Sequence, residues 1–272
     1  MLINGTFAES IHAGDRGLAY GDGLFETIRI AAGEPVLLGE HLERLREGCQ
    51  RLEIEVSIAD VEADFQRLLA GSEFSDAVIK LILTRGVSGR GYRFEPGGQP
   101  TRIAEISAYL PELEPGEQGV ATVLCETRLG INPDLAGIKH LNRLEQVMAA
   151  REIPVHDYRE GLMMSQTDEL IEGTKTNLFL VENGQLVTPS LQHCGVKGTM
   201  RKFLLERISG STSPVSLARL ERADEVFVCN SVIGIWPVNS LAMAGRESLT
   251  WPVGSITQSA RQLVEKETGI TG

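Results

Sequence analysis

The sequence predicts an α/β protein with mixed sheets, divided into two domains, and three observations carry that prediction. Apolar and polar residues alternate over short stretches in both halves, the period of half-buried strands. Amphipathic helical stretches lie among these strands without the strict βαβ alternation of a doubly wound parallel sheet. Between the halves, Pro111-Glu112-Leu113-Glu114-Pro115-Gly116-Glu117 interrupts both periodicities with proline, glycine and charge. The expected organisation is a first domain over residues 1–110, a linker over 111–119 and a second domain over 120–272.

In chain order, Met1 to Ala8 reads as a hairpin about Asn4-Gly5, a pair that tolerates positive φ. Phe25 to Ile30 alternates apolar with polar, as a half-buried strand does. From Gly39 to Leu52, residues Leu42, Leu45, Cys49 and Leu52 recur at helical spacing with charges between them. Ala77–Thr84 and Arg102–Leu110 are further strands. In the second half Ala121–Glu126 is a strand. A helix is expected from about Leu141 to Glu152, with Leu141, Leu144, Val147 and Met148 turned inward. Asn177–Val181 and Leu186–Thr188 flank Asn183-Gly184 as a second hairpin. Met200, Phe203, Leu204 and Ile208 mark another helix. Ser255-Ile256-Thr257-Gln258 fits a capping box for the last one, whose Ile256, Ala260, Leu263 and Val264 face inward.

Composition narrows the function classes. With 42% hydrophobic and 23% charged residues, the chain has the balance of an ordinary soluble protein able to bury a core in each half. A net charge of −11 disfavours nucleic acid and anionic membranes as partners. No apolar run has bilayer-spanning or signal-peptide length. Cys49, Cys125, Cys194 and Cys229 are scattered, and the five histidines lack metal-ligand spacing. Reduced thiols, no metal and a cytoplasmic location are therefore expected.

The six lysines single out one position. Lys80, Lys175, Lys197, Lys202 and Lys266 have ready structural accounts at sheet margins, in loops or on helix faces. Lys139 follows Leu135-Ala136-Gly137-Ile138, and apolar surroundings favour the neutral amine that attacks a carbonyl. Taken alone, the segment is equally a lysine snorkelling beside a helix start, which is the commoner case.

More than one segment is distinctive. Gly137-Ile138-Lys139-His140-Leu141-Asn142-Arg143-Leu144-Glu145-Gln146 is preceded by Gly21-Asp22-Gly23-Leu24-Phe25-Glu26-Thr27, His41-Leu42-Glu43-Arg44-Leu45, Thr84-Arg85-Gly86 and Gly89-Arg90-Gly91-Tyr92. It is followed by Glu172-Gly173-Thr174-Lys175-Thr176-Asn177-Leu178-Phe179, Gly195-Val196-Lys197-Gly198-Thr199-Met200-Arg201 and Cys229-Asn230-Ser231. In number and order these segments resemble the fold-type IV family of pyridoxal-phosphate enzymes. That family holds branched-chain and D-amino-acid aminotransferases and a lyase acting on 4-amino-4-deoxychorismate. The resemblance spans nearly the whole chain and implies the two-domain fold of those aminotransferases, with the cofactor between the domains.

The resemblance also implies roles. Lys139 matches the Schiff-base lysine. Arg44 matches the phosphate-binding arginine, whose planar fork suits phosphate oxygens. Thr199 and Met200 open a helix whose free N–H groups favour an anion, and Ser231 resembles the family's hydroxyl ligand to the same phosphate. Glu172 matches the acid that keeps the pyridine nitrogen protonated, and Asn177 holds its loop in place. Without the resemblance, Arg44 is equally a solvated helix face, Thr199 a cap and Glu172 a turn residue. Thr27 matches a pocket residue that orients a proton or substrate group, though strand-face packing accounts for it as well.

Two local features point to the lyase branch. Leu144 stands where branched-chain aminotransferases carry a tyrosine, and Thr84 to Tyr92 lacks the Arg-x-His pattern of the D-amino-acid enzymes. The expected reaction converts 4-amino-4-deoxychorismate to 4-aminobenzoate and pyruvate, a step toward folate. Lys139 removes the proton from the ring carbon bearing nitrogen. Arg90, Arg29 and Tyr92 are the substrate candidates, because two carboxylates must be met. The resemblance further implies a homodimer. The alternatives are a fold-type IV aminotransferase, which needs a keto acid to turn over, and a non-catalytic phosphate-ligand-binding protein, in which Lys139 is dispensable.

Overall fold

A computed structural model describes residues 1–89, 91–110, 118–154 and 156–270. They fall into two units: Met1–Leu110 with Ile138–Asn142, and residues 118–137 with 143–270. Of the expected linker over 111–119, residues 111–117 lie outside the described residues.

The first unit runs β1 (Leu2–Ile3), β2 (Thr6–Phe7), α1 (Arg16–Tyr20), β3 (Gly23–Ala31), β4 (Glu34–Pro35), α2 (Leu38–Leu52), α3 (Ile58–Ala70), β5 (Ala77–Thr84) and β6 (Thr101–Ala108). Its strands form one antiparallel sheet in the order β2-β1-β6-β5-β3-β4. The first hairpin turns at Asn4 and Gly5 with φ of 48° and 79°, the positive values its Asn-Gly pair predicts. β3 pairs with β5 from Gly23↔Thr84 to Ile30↔Ala77. Alternation then sorts the side chains of β3. Leu24, Glu26, Ile28 and Ile30 are buried on the face where α2 packs, while Phe25 and Thr27 are half-buried on the other. Helix α3 is not among the expected elements, although Val61, Phe65 and Leu68 sit at helical spacing and the Ser57 side chain caps Asp60 N–H.

The second unit runs β7 (Val120–Leu124), α4 (Leu144–Ala150), β8 (Glu160–Met164), β9 (Glu169–Gly173), β10 (Asn177–Glu182), β11 (Gln185–Pro189), α5 (Thr199–Arg207), β12 (Gly210–Ser213), β13 (Val215–Ser216), α6 (Leu217–Glu221), β14 (Glu225–Asn230), β15 (Gly234–Ala242), β16 (Leu249–Thr250) and α7 (Ser255–Thr268). Its strands follow the path β12-β11-β10-β14-β15-β7-β8-β9-β13, with β16 beside β15. A further pairing, Asn177↔Glu172, joins β10 to β9 and closes part of that path on itself. Mixed sheets result, because β7 runs parallel to both β15 and β8. Leu162, Leu178, Leu180, Val226, Val228 and Trp236 lie in one core cluster. Phe179 and Phe227, cross-strand partners, stack with centroids 4.9 Å apart. The β10–β11 hairpin turns at Asn183 and Gly184 with φ of 50° and 76°.

Four expectations need correction. The segment Ile138–Asn142, expected in the second domain, packs into the first unit. Phe25 N–H donates to Lys139 O at 3.0 Å and Leu141 N–H donates to Gly23 O at 3.0 Å, so this stretch pairs with the start of β3. Backbone groups engaged there cannot close a helical turn, and the helix begins only at Leu144. The helix also faces the other way: Leu144, Val147 and Met148 are 76%, 55% and 55% exposed, while Ala149 is buried. Finally, α7 has no capping box. Its N-cap is Gly254, and the Glu225 carboxylate accepts from Ile256 N–H at 3.2 Å and Thr257 N–H at 2.7 Å.

Candidate active site

In the first unit the chemistry gathers where residues 139–141 meet β3. Lys139 Nζ lies 4.3 Å from the centre of the Phe25 ring, a cation–π contact on the half-buried face of the sheet. Thr27, two residues on, shares that face, and so does Arg29. Arg29 is buried against the Tyr109 ring, 3.3 Å from its centre, and its Nη2 donates to Asp76 at 2.8 Å. Its Nε and Nη1 are buried without a hydrogen-bond partner.

Beneath β3 lies a charge cluster. Arg44, on α2, donates from Nε to Glu26 Oε1 at 2.9 Å and from Nη2 to Glu26 Oε2. His41 Nδ1, one turn earlier on α2, lies 2.6 Å from Glu26 Oε2. The i, i+3 spacing of His41 and Arg44 aims both side chains at one strand residue. Burial pushes the Glu26 carboxyl upward, but Arg44 and His41 outweigh it and bring it down to about 2. Burial holds His41 below the usual imidazole range against the pull of Glu26, and the charges of Arg44 and Lys139 add to that lowering. Glu26 and His41 lie within the quoted segments without an expected role; Glu26 alternates with Leu24 and Ile28 along its strand, and His41 stands one helical turn before Leu45.

The loop proposed for substrate is tied down by a second network. Arg16 donates to Gly91 O and Tyr92 O, both at 2.8 Å, and to Asp22 Oδ2 at 2.8 Å. Asp22 also takes two bonds from Arg85. Tyr92 is 86% exposed, its ring 5.4 Å from that of Tyr20. Arg90 lies outside the described residues.

In the second unit the closure of β9 on β10 sets Glu172 beside Asn177. Glu172, 4% exposed, accepts from Val196 N–H at 2.8 Å and faces Gln146 Nε2 at 3.5 Å. Asn177 donates to Val196 O at 2.9 Å and accepts from Gly198 N–H at 3.1 Å. Gly198 is the N-cap of α5 and, having no side chain, makes no side-chain cap to the first-turn N–H groups. A Cβ at Gly198 would come within 2.0 Å of Asn177 Oδ1, which restricts this position to glycine. Thr199, Met200 and Ser231 are all buried. Arg201, on the same helix, donates to Thr188 Oγ1 and Pro189 O, and burial lowers its pKa. A buried carboxylate and a helix N-terminus that opens on a glycine N-cap are the kinds of acceptor and donor that a phosphorylated pyridine requires.

Gly137, with φ of 85°, connects these residues to the lysine along the chain. Its N–H donates to Gly195 O at 2.8 Å and its carbonyl accepts from Lys197 N–H at 3.0 Å. The segment carrying Val196 and Gly198 thereby anchors the backbone two residues before Lys139.

The fold is shared with solved enzymes. A 4-amino-4-deoxychorismate lyase of Pseudomonas aeruginosa superposes with a TM-score of 0.92 at 43% identity, over 98% of each chain. A branched-chain amino acid aminotransferase of Escherichia coli superposes with a TM-score of 0.85 over 99% of this chain and 95% of its own, at 23% identity, a likeness of fold alone. The aminodeoxychorismate lyase of Vibrio harveyi is 35% identical over 94% of this chain and 96% of its own length. The sequence pattern of class IV amino-transferases is matched over residues 23–241, and the chain belongs to that family.

Proposed function

We propose that this protein is a pyridoxal-phosphate-dependent lyase that converts 4-amino-4-deoxychorismate to 4-aminobenzoate and pyruvate. The single observation that carries this reading is the full-length likeness to the Pseudomonas aeruginosa lyase, at 43% identity. The residues present fit the cofactor: an acid for its nitrogen, a helix N-terminus with a glycine N-cap for its phosphate and a lysine for its aldehyde. When bound, pyridoxal 5′-phosphate supplies the electron sink that stabilises negative charge at the substrate's amine-bearing carbon.

The chain's own groups do the rest. Lys139 holds the cofactor covalently, removes the proton from that carbon and returns one to the departing enolpyruvyl group. The Phe25 ring confines its Nζ to one side. Glu172, fixed by Val196 N–H, keeps the cofactor nitrogen protonated. Arg44, held on two nitrogens by Glu26, meets the phosphate with Thr199, Met200 and Ser231. Asn177 keeps the Gly198 turn open for it. Thr27 orients the transferred proton or the substrate. Arg29, with two buried N–H-bearing nitrogens unmatched, takes one substrate carboxylate, and Arg90 with Tyr92 serves the other.

The protein works as a cytoplasmic homodimer. The exposed face formed by Leu144, Val147 and Met148 supports a second chain as its cover, since an apolar stripe on a helix is normally buried. Val147→Asp is expected to shift the light-scattering mass from two chains to one.

The deciding experiment incubates cofactor-loaded protein with 4-amino-4-deoxychorismate and no keto acid. Pyruvate and 4-aminobenzoate should appear in equal amounts over many turnovers. Pyruvate that forms only when a keto acid is added would transfer the assignment to the aminotransferase branch.

A further inference from the structure

We propose that Glu160 is the positioning residue on which the cofactor-facing groups of the second unit stand, an inference that rests on the cofactor assignment above. Glu160 opens β8 and is 0% exposed. Its carboxylate accepts five hydrogen bonds, all from neutral donors. Oε1 takes Gly161 N–H at 2.9 Å, Thr174 N–H at 3.0 Å and Thr174 Oγ1–H at 2.6 Å. Oε2 takes Thr176 Oγ1–H at 2.9 Å and Lys175 N–H at 3.4 Å. An ionised carboxylate, which only accepts, is the one side chain of this size that satisfies all five.

What these bonds hold is the three-residue connection between β9 and β10. Glu172 lies just before it and Asn177 just after it, and the two are cross-strand partners. Gly173 permits the fold-over, because a Cβ there would sit 2.2 Å from Thr176 Oγ1 and 2.8 Å from the Glu160 carboxyl carbon. The same connection reaches a third group: Asn230 Nδ2 donates to Lys175 O at 3.0 Å, while Asn230 Oδ1 accepts from Val232 N–H and Ile233 N–H around Ser231. One buried carboxylate thus underlies the acid for the cofactor nitrogen, the asparagine at the phosphate helix and the turn carrying Ser231. Loosening the connection moves both ends of the cofactor's cradle together, which loss of any single ligand cannot do.

Glu160→Gln leaves one acceptor oxygen and turns an amide donor toward the other donors. Thr174→Val removes the 2.6 Å bond at constant shape, and Thr174→Ser restores it. For each protein, pyridoxal 5′-phosphate affinity is measured by titration of the apoprotein. The pH dependence of the visible absorbance of the lysine-bound cofactor is recorded beside it, and thermal unfolding of the apoprotein checks the fold. Glu160→Gln and Thr174→Val should each weaken cofactor binding by about tenfold or more and displace the absorbance titration, with Thr174→Ser close to wild type. Wild-type affinity and titration in both Glu160→Gln and Thr174→Val would overturn the proposal alone. Wild-type protein that forms no borohydride-reducible adduct at Lys139 would overturn the cofactor assignment and this proposal with it.

Discussion

Replacing Glu26 by glutamine should destabilise the first unit by an amount that depends on pH in a defined window. Folding lowers the Glu26 carboxyl from its usual value of 4.5 to about 2, because Arg44 and His41 together outweigh the cost of burying it. At roughly 1.4 kcal/mol per tenfold change in proton affinity, the lowering contributes on the order of 3 kcal/mol at neutral pH. A group whose pKa falls on folding contributes fully above its unfolded value and ceases to contribute as pH drops through the folded one. The contribution is therefore complete above pH 4.5, about halved by pH 3 and gone below about 2. Burial lowers the His41 pKa, which adds a loss that begins near its usual 6.5 on the same acid side, so the Glu26 window is read below 4.5. Glu26→Gln keeps the shape and removes the charge, so the attraction to Arg44 that it loses is the one contained in those roughly 3 kcal/mol. Urea unfolding followed by far-ultraviolet circular dichroism suits the test. Tryptophan fluorescence does not, since Trp236 and Trp251 both belong to the second unit. A stability gap between wild type and Glu26→Gln that stays constant from pH 7 to pH 3 would refute the reasoning.

Other substitutions have equally direct outcomes. Glu225→Ala removes the acceptor for Ile256 and Thr257 N–H and the negative charge at the start of α7, and should cost about 1–2 kcal/mol in urea midpoints read by tryptophan fluorescence. An unchanged midpoint would show that water replaces the cap at no cost. Phe227→Ala removes one member of the stacked Phe179–Phe227 pair from a fully buried position and should cost about 3–5 kcal/mol by the same assay. Lys139→Ala should abolish borohydride-trapped cofactor and turnover together; retained turnover would remove the lysine from the chemistry.

Much of the local structure was legible because local rules decide it. Both Asn-Gly hairpins, the β3 alternation and helix α2 follow from turn chemistry and period, which neighbours in sequence carry. Where distant residues compete for backbone donors, the local reading fails. The stretch after Lys139 has a helical pattern, yet Gly23 and Phe25, more than a hundred positions earlier, take its hydrogen bonds and hold it extended. Ser255 looks like a cap, yet Glu225, thirty residues upstream, occupies the helix start. The apolar positions of α4 recur at helical spacing, but periodicity marks a face without saying whether core or solvent lies against it.

The candidate site divides in the same way. Taken singly, Lys139, Glu172, Arg44, Asn177, Thr199 and Ser231 are left open to ordinary structural accounts by residue type and position, and they were named as candidates by the resemblance of ordered segments to family motifs. Glu26, His41, Arg16 and Glu160 were not, because a buried acid or base is indistinguishable in sequence from an exposed one until its partners are known. The sequence alone determined the family, the hairpins, the main helices and the residues whose chemistry is intrinsic. Only the tertiary structure decided which charged side chains are buried and which partners they meet, since pairing across 15 to 76 positions depends on strand register and packing that no local pattern encodes.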